Sequence, residues 1–173
     1  MWYVMQVMSG WEGKCAMMLE RNIPDEILEK CFVPMRRMKK KYHGKWHEVT
    51  EKIFPGYVFL VSGQPRVLYD ELKNVPMLTK LLGSCEEYFT PLSQKDVRFL
   101  HRLQNMESKS DGVGISKVSV GEDSHIRIIA GPLKNLEGQI RKINLHKRIA
   151  LVEADFMGNR ALLHLGIEIV EGK

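Results

Sequence analysis

The residue types that catalyse reactions or bind metal ions are scattered along this sequence. The chain contains no His-Glu-x-x-His pattern, no phosphate-binding glycine loop of the Walker type and no Gly-x-Ser-x-Gly turn. His43 and His47 have a spacing that brings two metal ligands together on a helix, but Gly44 between them favours a turn. The acidic pairs Asp25-Glu26 and Glu86-Glu87 are isolated, as surface charges usually are. We therefore expect a protein that is not an enzyme and has no metal or other cofactor.

A first cluster of basic side chains suits the binding of phosphate groups. No acid interrupts it before Glu48, and its members are Arg36, Arg37, Lys39, Lys40, Lys41 and Lys45. Such a dense positive field can follow a nucleic-acid backbone, although runs of this kind are also common on solvated faces that bind nothing. The neighbouring Trp46 suits either stacking on a base or packing in a core.

A second basic cluster lies closer to the C-terminus and contains a single acid, Glu137. Its members are Lys134, Arg141, Lys142, His146, Lys147 and Arg148. Lysine and arginine donate hydrogen bonds to phosphates and base edges, so a basic rim with a histidine at a hairpin tip suits an RNA helix. Arg160, in a later turn, is a further candidate for nucleic-acid contact.

The composition is that of a folded globular protein with a modest excess of positive charge. Hydrophobic residues make up 44% of the chain and the net charge is +5, which favours a polyanionic partner without requiring one. No apolar stretch approaches the roughly 20 residues of a membrane helix, and the start lacks the basic segment of an export signal. We expect a monomeric cytoplasmic protein without membrane contact.

The cysteines favour neither a zinc site nor a disulfide framework. Cys15, Cys31 and Cys85 are far apart, odd in number and without a Cys-x-x-Cys pair. We expect reduced, buried thiols.

A strand-to-helix unit opens the chain. Residues 1–8 alternate as a strand does, and Ser9 with Glu12 has the spacing of a capping box, which predicts a helix that starts at Ser9-Gly10 and stops before Pro24. The predicted buried face of this helix consists of Trp11, Cys15, Met18 and Leu19.

The first basic cluster falls on a predicted β-hairpin. Residues 31–42 and 46–52 read as strands around a turn at His43-Gly44, and residues 57–61 form the next strand.

Two helical patterns follow, over residues 65–75 and 93–104. Their predicted apolar faces are Val67, Leu68, Leu72 and Val75 in the first, and Val97, Leu100 and Leu103, or His101 in place of Leu103, in the second.

The chain is predicted to form two domains, residues 1–104 and 119–173. The polar, glycine-containing residues 105–118 have few groups that can anchor a core, which indicates a flexible linker. Four or five short β-rich runs after it predict a small β-barrel, in which one strand buries Ala150, Val152, Ala154 and Phe156. The predicted fold class is therefore α+β.

The second domain resembles a KOW domain. A strand over residues 126–129 leads into Gly131-Pro132-Leu133-Lys134-Asn135-Leu136-Glu137-Gly138, and another strand follows. In the KOW motif two glycines permit a tight connection that displays a basic side chain and an apolar plug, here Lys134 and Leu136. Phe156-Met157-Gly158-Asn159-Arg160 resembles the phenylalanine-glycine-arginine turn of NusG C-terminal domains, and residues 167–170 resemble their closing strand.

The first domain is similar to the N-terminal, or NGN, domain of the same family. The resemblance rests on Trp2-Tyr3-Val4, on the highly specific segment Phe54-Pro55-Gly56-Tyr57-Val58-Phe59, and on residues 75–83. The chain is thus identified as a member of the NusG family. This implies an NGN-type α/β sandwich joined by a flexible linker to a KOW β-barrel.

The resemblance also implies partners. A NusG protein is a transcription elongation factor that binds RNA polymerase, and the positions matching Tyr57, Phe59, Leu78 and Leu81 form an apolar depression for the polymerase clamp. The hairpin is then expected to lie near upstream DNA, while the KOW domain contacts structured nascent RNA and the factor suppresses pausing and termination.

Within the family, the sequence resembles the specialised antitermination factors called LoaP, through its short NGN domain and the basic run over residues 131–148. Two alternatives stay open. One is a housekeeping NusG that links the polymerase to Rho or to the ribosome. The other is a ribosome-associated KOW protein, which would leave the segment around Gly56 unexplained.

Overall fold

The computed structural model describes residues 1–76, 89–104 and 112–170. The strands are β1 (Trp2–Gln6), β2 (Lys30–Phe32), β3 (Met35–Tyr42), β4 (Lys45–Lys52), β5 (Tyr57–Val61), β6 (Phe89–Pro91), β7 (Gly112–Val113), β8 (Ser116–Val120), β9 (Ile126–Ala130), β10 (Ile140–Asn144), β11 (Ile149–Phe156) and β12 (Asn159–Ile169). The helices are α1 (Glu12–Asn22), α2 (Pro65–Asn74) and α3 (Gln94–Gln104), with 3-10 turns at Pro132–Asn135 and Glu137–Gln139. The predicted α+β class is confirmed.

Contacts group the chain into two compact units. The first consists of Met1–Pro34 and Phe54–Ser93, and the second of Met35–Ile53 and Gln94–Lys173. The predicted domain boundaries stay a prediction, and the contacts group residues Met35–Ile53 and the helix after Ser93 with the C-terminal strands. Within the predicted linker, residues 105–111 lie outside the described residues, and residues 112–118 contain β7 and the start of β8.

The first unit is built on an antiparallel sheet in the order β2-β5-β1-β6. Alternate residues of β1 and β5 join the core formed with α1 and α2, among them Tyr3, Met5, Val58 and Leu60. The predicted faces of the two helices are partly confirmed. Cys15, Leu19, Leu68, Leu72 and Val75 are buried and Met18 packs against them, whereas Trp11 and Val67 are exposed.

The predicted start of α1 is wrong, and the difference has a physical cause. The helix begins at Glu12, and no side chain caps its N-terminus. The fully buried Glu12 carboxylate instead accepts hydrogen bonds from the backbone N–H of Gly10, at 2.9 Å, and of Gly56, at 2.7 Å. The carbonyl of Gly56 in turn accepts a hydrogen bond from the N–H of Val7. Glu12 therefore ties the start of α1 to the turn that leads into β5.

Two of the cysteines are buried free thiols, as predicted. Burial raises the pKa of the Cys15 thiol to about 12 and also raises the pKa of Cys31. Both thiols are therefore protonated, and unreactive as nucleophiles, near neutral pH. Cys85 lies outside the described residues.

The second unit contains the predicted hairpin. Strands β3 and β4 pair along their whole length from Met35 opposite Lys52 to Tyr42 opposite Lys45, and His43 and Gly44 form the turn with φ of 48° and 77°. Positive φ at both central residues matches the right-handed twist of the flanking strands. Strand β7 pairs in parallel with the base of β3.

The C-terminal strands form one curled sheet in the order β10-β11-β12-β8-β9. The predicted inward face of β11 is confirmed, since Ala150, Val152, Ala154 and Phe156 are all buried. In the KOW-like connection Leu136 is buried as predicted and Leu133 with it, while Lys134 is exposed.

Helix α3 packs within the second unit. Leu100 and Leu103 are buried as predicted, and the ring of Phe99, which the predicted face omitted, lies 5.7 Å from that of Phe156. The buried Asp96 carboxylate accepts a hydrogen bond from the N–H of Met157 at 2.9 Å. In the part of the chain that the structure describes, no helix is long and apolar enough to cross a membrane.

Strand β12 lies directly against β3 because Gly166 has no side chain. A Cβ atom there would lie 2.5 Å from the backbone oxygen of Arg37 and 3.1 Å from the Cα of Met38. These are backbone atoms, so rotation of a flexible side chain cannot relieve the overlap.

We predict that Glu12→Gln lowers the free energy of unfolding by about 2 to 3 kcal/mol, because an amide offers one oxygen where the carboxylate accepts two backbone N–H groups. Urea titration measures this. Glu20→Gln, at an exposed position of the same helix, is the control and should change stability by less than about 0.5 kcal/mol. Equal effects of the two substitutions would contradict the assigned role of Glu12.

We also predict that Gly166→Ala destabilises the protein by about 1 to 3 kcal/mol through overpacking. Gly138→Ala is the matched control, since a Cβ at Gly138 meets nothing within 4 Å. Thermal unfolding of both variants tests this, and a Gly166 variant as stable as the Gly138 variant would refute the close approach of β12 to β3.

Candidate nucleic-acid interface

The β3–β4 hairpin carries the first basic cluster. Lys41 stands directly opposite Trp46 in the strand register, and the residues around the turn are exposed. Towards the base of the hairpin Met38 is buried, which anchors β3 in the second unit. The hairpin therefore presents its basic and aromatic side chains to solvent from a fixed base.

The turn between β10 and β11 carries the centre of the second cluster. The side-chain oxygen of Asn144 accepts a hydrogen bond from the N–H of Lys147 at 2.9 Å, and Arg148 has a left-handed φ of 57°. The carbonyl of Arg148 accepts a hydrogen bond from the N–H of Ile167 at 3.0 Å, which fixes the turn to β12. The turn 145–148 is thus held by its own hydrogen bonds and by its neighbour strand.

The two basic clusters meet within the second unit in one open groove, hereafter the basic groove, with a volume of about 630 Å³. Its walls are Met38, Lys39, Lys40, Lys41, Tyr42 and Trp46 on the hairpin side and Leu145, His146, Lys147, Arg148 and Ile149 on the turn side. The two basic clusters are separate in the sequence, and in the structure residues of both line the same groove.

Aromatic rings interrupt the positive charge of the basic groove. The Arg148 guanidinium carbon lies 5.4 Å from the centre of the Trp46 ring, which is within the range of a cation–π contact. Tyr42 is half exposed, and its ring lies 5.9 Å from that of His47. Tyr42 was not among the predicted site residues, although its place next to the hairpin turn is visible in the sequence.

Several of the predicted phosphate ligands on the hairpin are already paired with acids. Arg36 and Lys40 both contact the Glu51 carboxylate, and Arg37 lies 3.2 Å from Glu48. The hydrogen bond from Lys40 lowers the pKa of Glu51, and the same bond raises the pKa of Lys40. These cations are partly neutralised before any partner arrives.

The same holds for three further candidates of the second unit. Lys39 contacts Glu168 at 3.3 Å. Arg141 and Arg160 contact the same Glu153 carboxylate, at 2.7 and 3.4 Å. The hydrogen bond from Arg141 lowers the pKa of Glu153.

The other members of the two basic clusters have no acidic partner within 4 Å among the described residues: Lys41, Lys45, Lys134, Lys142, His146, Lys147 and Arg148. Of these, Lys41, His146, Lys147 and Arg148 line the basic groove. Within the basic groove, the cations without an acidic partner in the described part of the chain are therefore Lys41 on the hairpin and Lys147 and Arg148 on the turn, where a phosphate can accept their hydrogen bonds.

The predicted polymerase contacts lie in the first unit. Val58 and Leu60 belong to the core with α1 and α2, so Tyr57 and Phe59 point to the opposite face of the sheet. Tyr57 is half-buried, whereas Phe59 is fully buried and its ring stacks on that of Phe32 at 5.7 Å. Leu78 and Leu81 lie outside the described residues.

Among the described residues, no three His, Cys, Asp or Glu side chains lie close enough together to hold a metal ion. His43 and His47 lie on the hairpin, at the turn and in β4. The histidine pair therefore lacks the helix that would bring its imidazoles together.

Comparison with known proteins gives consistent matches along the chain. The family model described as "Transcription termination factor nusG" matches residues 1–101. The chain is 27% identical to the transcription termination/antitermination protein NusG of Pasteurella multocida over 175 aligned residues, covering 98% of this chain and 93% of that protein. It is also 27% identical to the protein of the same name from Staphylococcus carnosus, covering 98% of this chain and 94% of that protein.

The fold has a solved counterpart in a structure reported as "Domain interaction in Thermotoga maritima NusG". The TM-score is 0.55 at 22% identity, with 95% of this chain and 92% of that chain covered. The family match over more than half of the sequence, together with relatives aligned almost end to end, shows that this chain belongs to the NusG family of transcription factors.

Proposed function

We propose that this protein is a cytoplasmic, monomeric transcription elongation and antitermination factor that acts by binding and not by catalysis. Its NGN domain binds RNA polymerase and suppresses pausing and termination, while its KOW domain contacts structured nascent RNA. Membership of the NusG family supports the first part, since the relatives carry the name termination/antitermination protein.

The basic groove is the observation that carries the RNA-binding part. A surface meant only for solubility gains nothing from cations without acidic partners at one place, because like charges repel. Here Lys41, Lys147 and Arg148 lie along one groove, while the nearby Lys39 and Lys40 are paired. Lys39 and Lys40 have acidic partners, whereas the other cations of the groove have none within the described ranges of the chain. This difference favours the binding of an external polyanion in the groove.

The same feature supports the more specific proposal that the protein belongs to the LoaP branch. A housekeeping NusG that recruits Rho or a ribosomal protein needs a protein-binding surface on its second domain. The β10–β11 turn instead presents His146, Lys147 and Arg148, and Lys142 precedes it without an acidic partner among the described residues. This arrangement suits phosphates and base edges.

The polymerase contact is proposed for the sheet face that carries Tyr57 and Phe59, together with Leu78 and Leu81. Tyr57 is accessible and amphipathic, which suits an interface. Phe59 is buried, so its direct contact with a partner requires that the groups covering it move. On the hairpin, Arg36 and Arg37 lie outside the basic groove and are the proposed contacts for upstream DNA, where anionic backbone is abundant.

We predict that Lys142→Ala with Lys147→Ala weakens binding to the cognate structured leader RNA about tenfold or more, since two phosphate ligands are lost. The control is Lys73→Ala with Lys95→Ala, which removes the same charge from lysines that are paired with Asp70 and Asp155. The measurement is a titration of the full chain with a panel of leader RNAs at about 150 mM salt, where unselective attraction is partly screened.

Selective binding that the first variant loses and the control keeps supports the specialised factor. Weak binding without preference among the RNAs, equally affected by both variants, would assign the protein to the housekeeping class instead.

We further predict that Tyr57→Ala lowers the affinity for RNA polymerase about tenfold or more, because an aromatic anchor is lost from the interface. RNA binding should not change. Tyr69→Ala is the control, since Tyr69 is similarly placed at the surface of the same unit, on α2. Affinity measured by co-sedimentation or surface plasmon resonance that falls equally for both variants would count against the proposed face.

A further inference from the structure

We propose that the basic groove captures a single unpaired RNA nucleotide, with its base stacked on the Trp46 indole and its flanking phosphates held by Lys41, Lys147 and Arg148. This inference rests on the proposed RNA-binding function and deepens it. It assigns to the β3–β4 hairpin a direct part in recognising the transcript.

Trp46 is placed as a stacking platform. Its side chain is 38% exposed near the end of the hairpin, and it borders both the basic groove and a smaller cavity next to β12. An exposed indole in a positively charged groove contributes little to the core and offers a flat apolar face. Stacking on such a ring is available to any base, because each base has a π-face.

Arg148 occupies the position that a stacked base would take. Its guanidinium carbon lies 5.4 Å from the centre of the Trp46 ring, so a planar group already covers one face of the indole. The Arg148 backbone is fixed by the hydrogen bond from Ile167. A base that displaces the guanidinium can take its place on the indole, and Arg148 is then free to contact a phosphate.

Lysines without an acidic partner in the part of the chain that the structure describes lie on both walls of the groove that contains Trp46. Lys41 is the strand partner of Trp46, and Lys147 lies on the facing turn. Neither has an acidic partner within 4 Å among the described residues, whereas Lys39 and Lys40 are held by Glu168 and Glu51. One cation on each wall suits the two phosphates that flank a nucleotide.

The basic groove has room for a nucleotide. It is open to solvent, and its volume of about 630 Å³ is in the range of small-molecule sites. A base pair within a duplex cannot reach the indole face, because both of its faces are stacked on its neighbours. An unpaired nucleotide in a bulge or loop can be turned out of the stack, and RNA offers such nucleotides on its own folded surface.

The test uses the full chain and two blunt-ended RNA duplexes. They have the same base pairs and differ only in a single unpaired adenosine in one strand of the second duplex. Wild-type protein should bind the bulged duplex more tightly. Trp46→Leu should weaken binding to the bulged duplex by about 5- to 100-fold, the range for loss of one stacked base, and leave binding to the perfect duplex unchanged. Trp46→Tyr, which keeps an aromatic face, should restore binding to within about threefold of wild type.

Trp11→Leu is the matched control. Trp11 is 39% exposed and has Lys14 over its ring at 4.5 Å, so it resembles Trp46 in exposure and in its cation contact, but it lies in the first unit. Its substitution should change neither affinity. Far-UV circular dichroism confirms that all variants are folded.

The outcomes separate the two proposals. Equal binding of both duplexes that Trp46→Leu does not alter overturns the stacking inference and leaves RNA binding intact. Binding of neither duplex nor any leader RNA overturns the proposed RNA-binding function itself. Equal affinity for the same bulged duplex made of DNA overturns the assignment to RNA.

Discussion

The close approach of β12 to β3 at Gly166 is the constraint on which the candidate site depends. The absence of a Cβ lets two backbones come together where any side chain would overlap. The next residue, Ile167, donates its N–H to the carbonyl of Arg148 and so holds the turn 145–148 on the same strand. One strand therefore touches the hairpin on one side and fixes the turn on the other, and the basic groove results from both contacts.

The second determinant of the site is the distribution of acids around the cations. Glu48, Glu51, Glu153 and Glu168 are spaced so that each holds at least one lysine or arginine. Pairs of this exposure add little to stability. Their consequence is electrostatic, because they neutralise part of the positive charge, including that of Lys39 and Lys40 in the basic groove, and leave it available at Lys41 and on the turn.

Much of the fold was predictable from the sequence because its signals are local. The turn at His43-Gly44 and the inward face of β11 depend on residue types at short spacing, and both are confirmed. The apolar plug at Leu136, which the resemblance to the KOW motif implies, is buried. The start of α1 was predicted wrongly, because the local capping pattern of Ser9 competes with a distant partner. The Glu12 carboxylate accepts a hydrogen bond from the N–H of Gly56, and no local sequence pattern predicts a contact between residues so far apart in the chain.

The candidate site was predictable in its parts but not in its assembly. The two basic clusters are visible as runs of lysine and arginine, yet their meeting in one groove requires the packing of β12 on β3. Which cations are paired with acids could not be predicted from the sequence either. Lys39, for example, pairs with Glu168, which is distant from it in the chain. Tyr42 was overlooked because an aromatic residue beside a turn is ordinary until its neighbours are known.

In the proposed RNA complex the hairpin and the turn act as one RNA-binding surface. Hydrogen–deuterium exchange of the full chain, read by mass spectrometry with and without the cognate structured RNA, tests this most directly. We expect RNA to slow exchange in residues 38–46 and in residues 145–149 together, with the same dependence on RNA concentration. Slowed exchange in residues 145–149 alone, with the hairpin unaffected at saturating RNA, would contradict it.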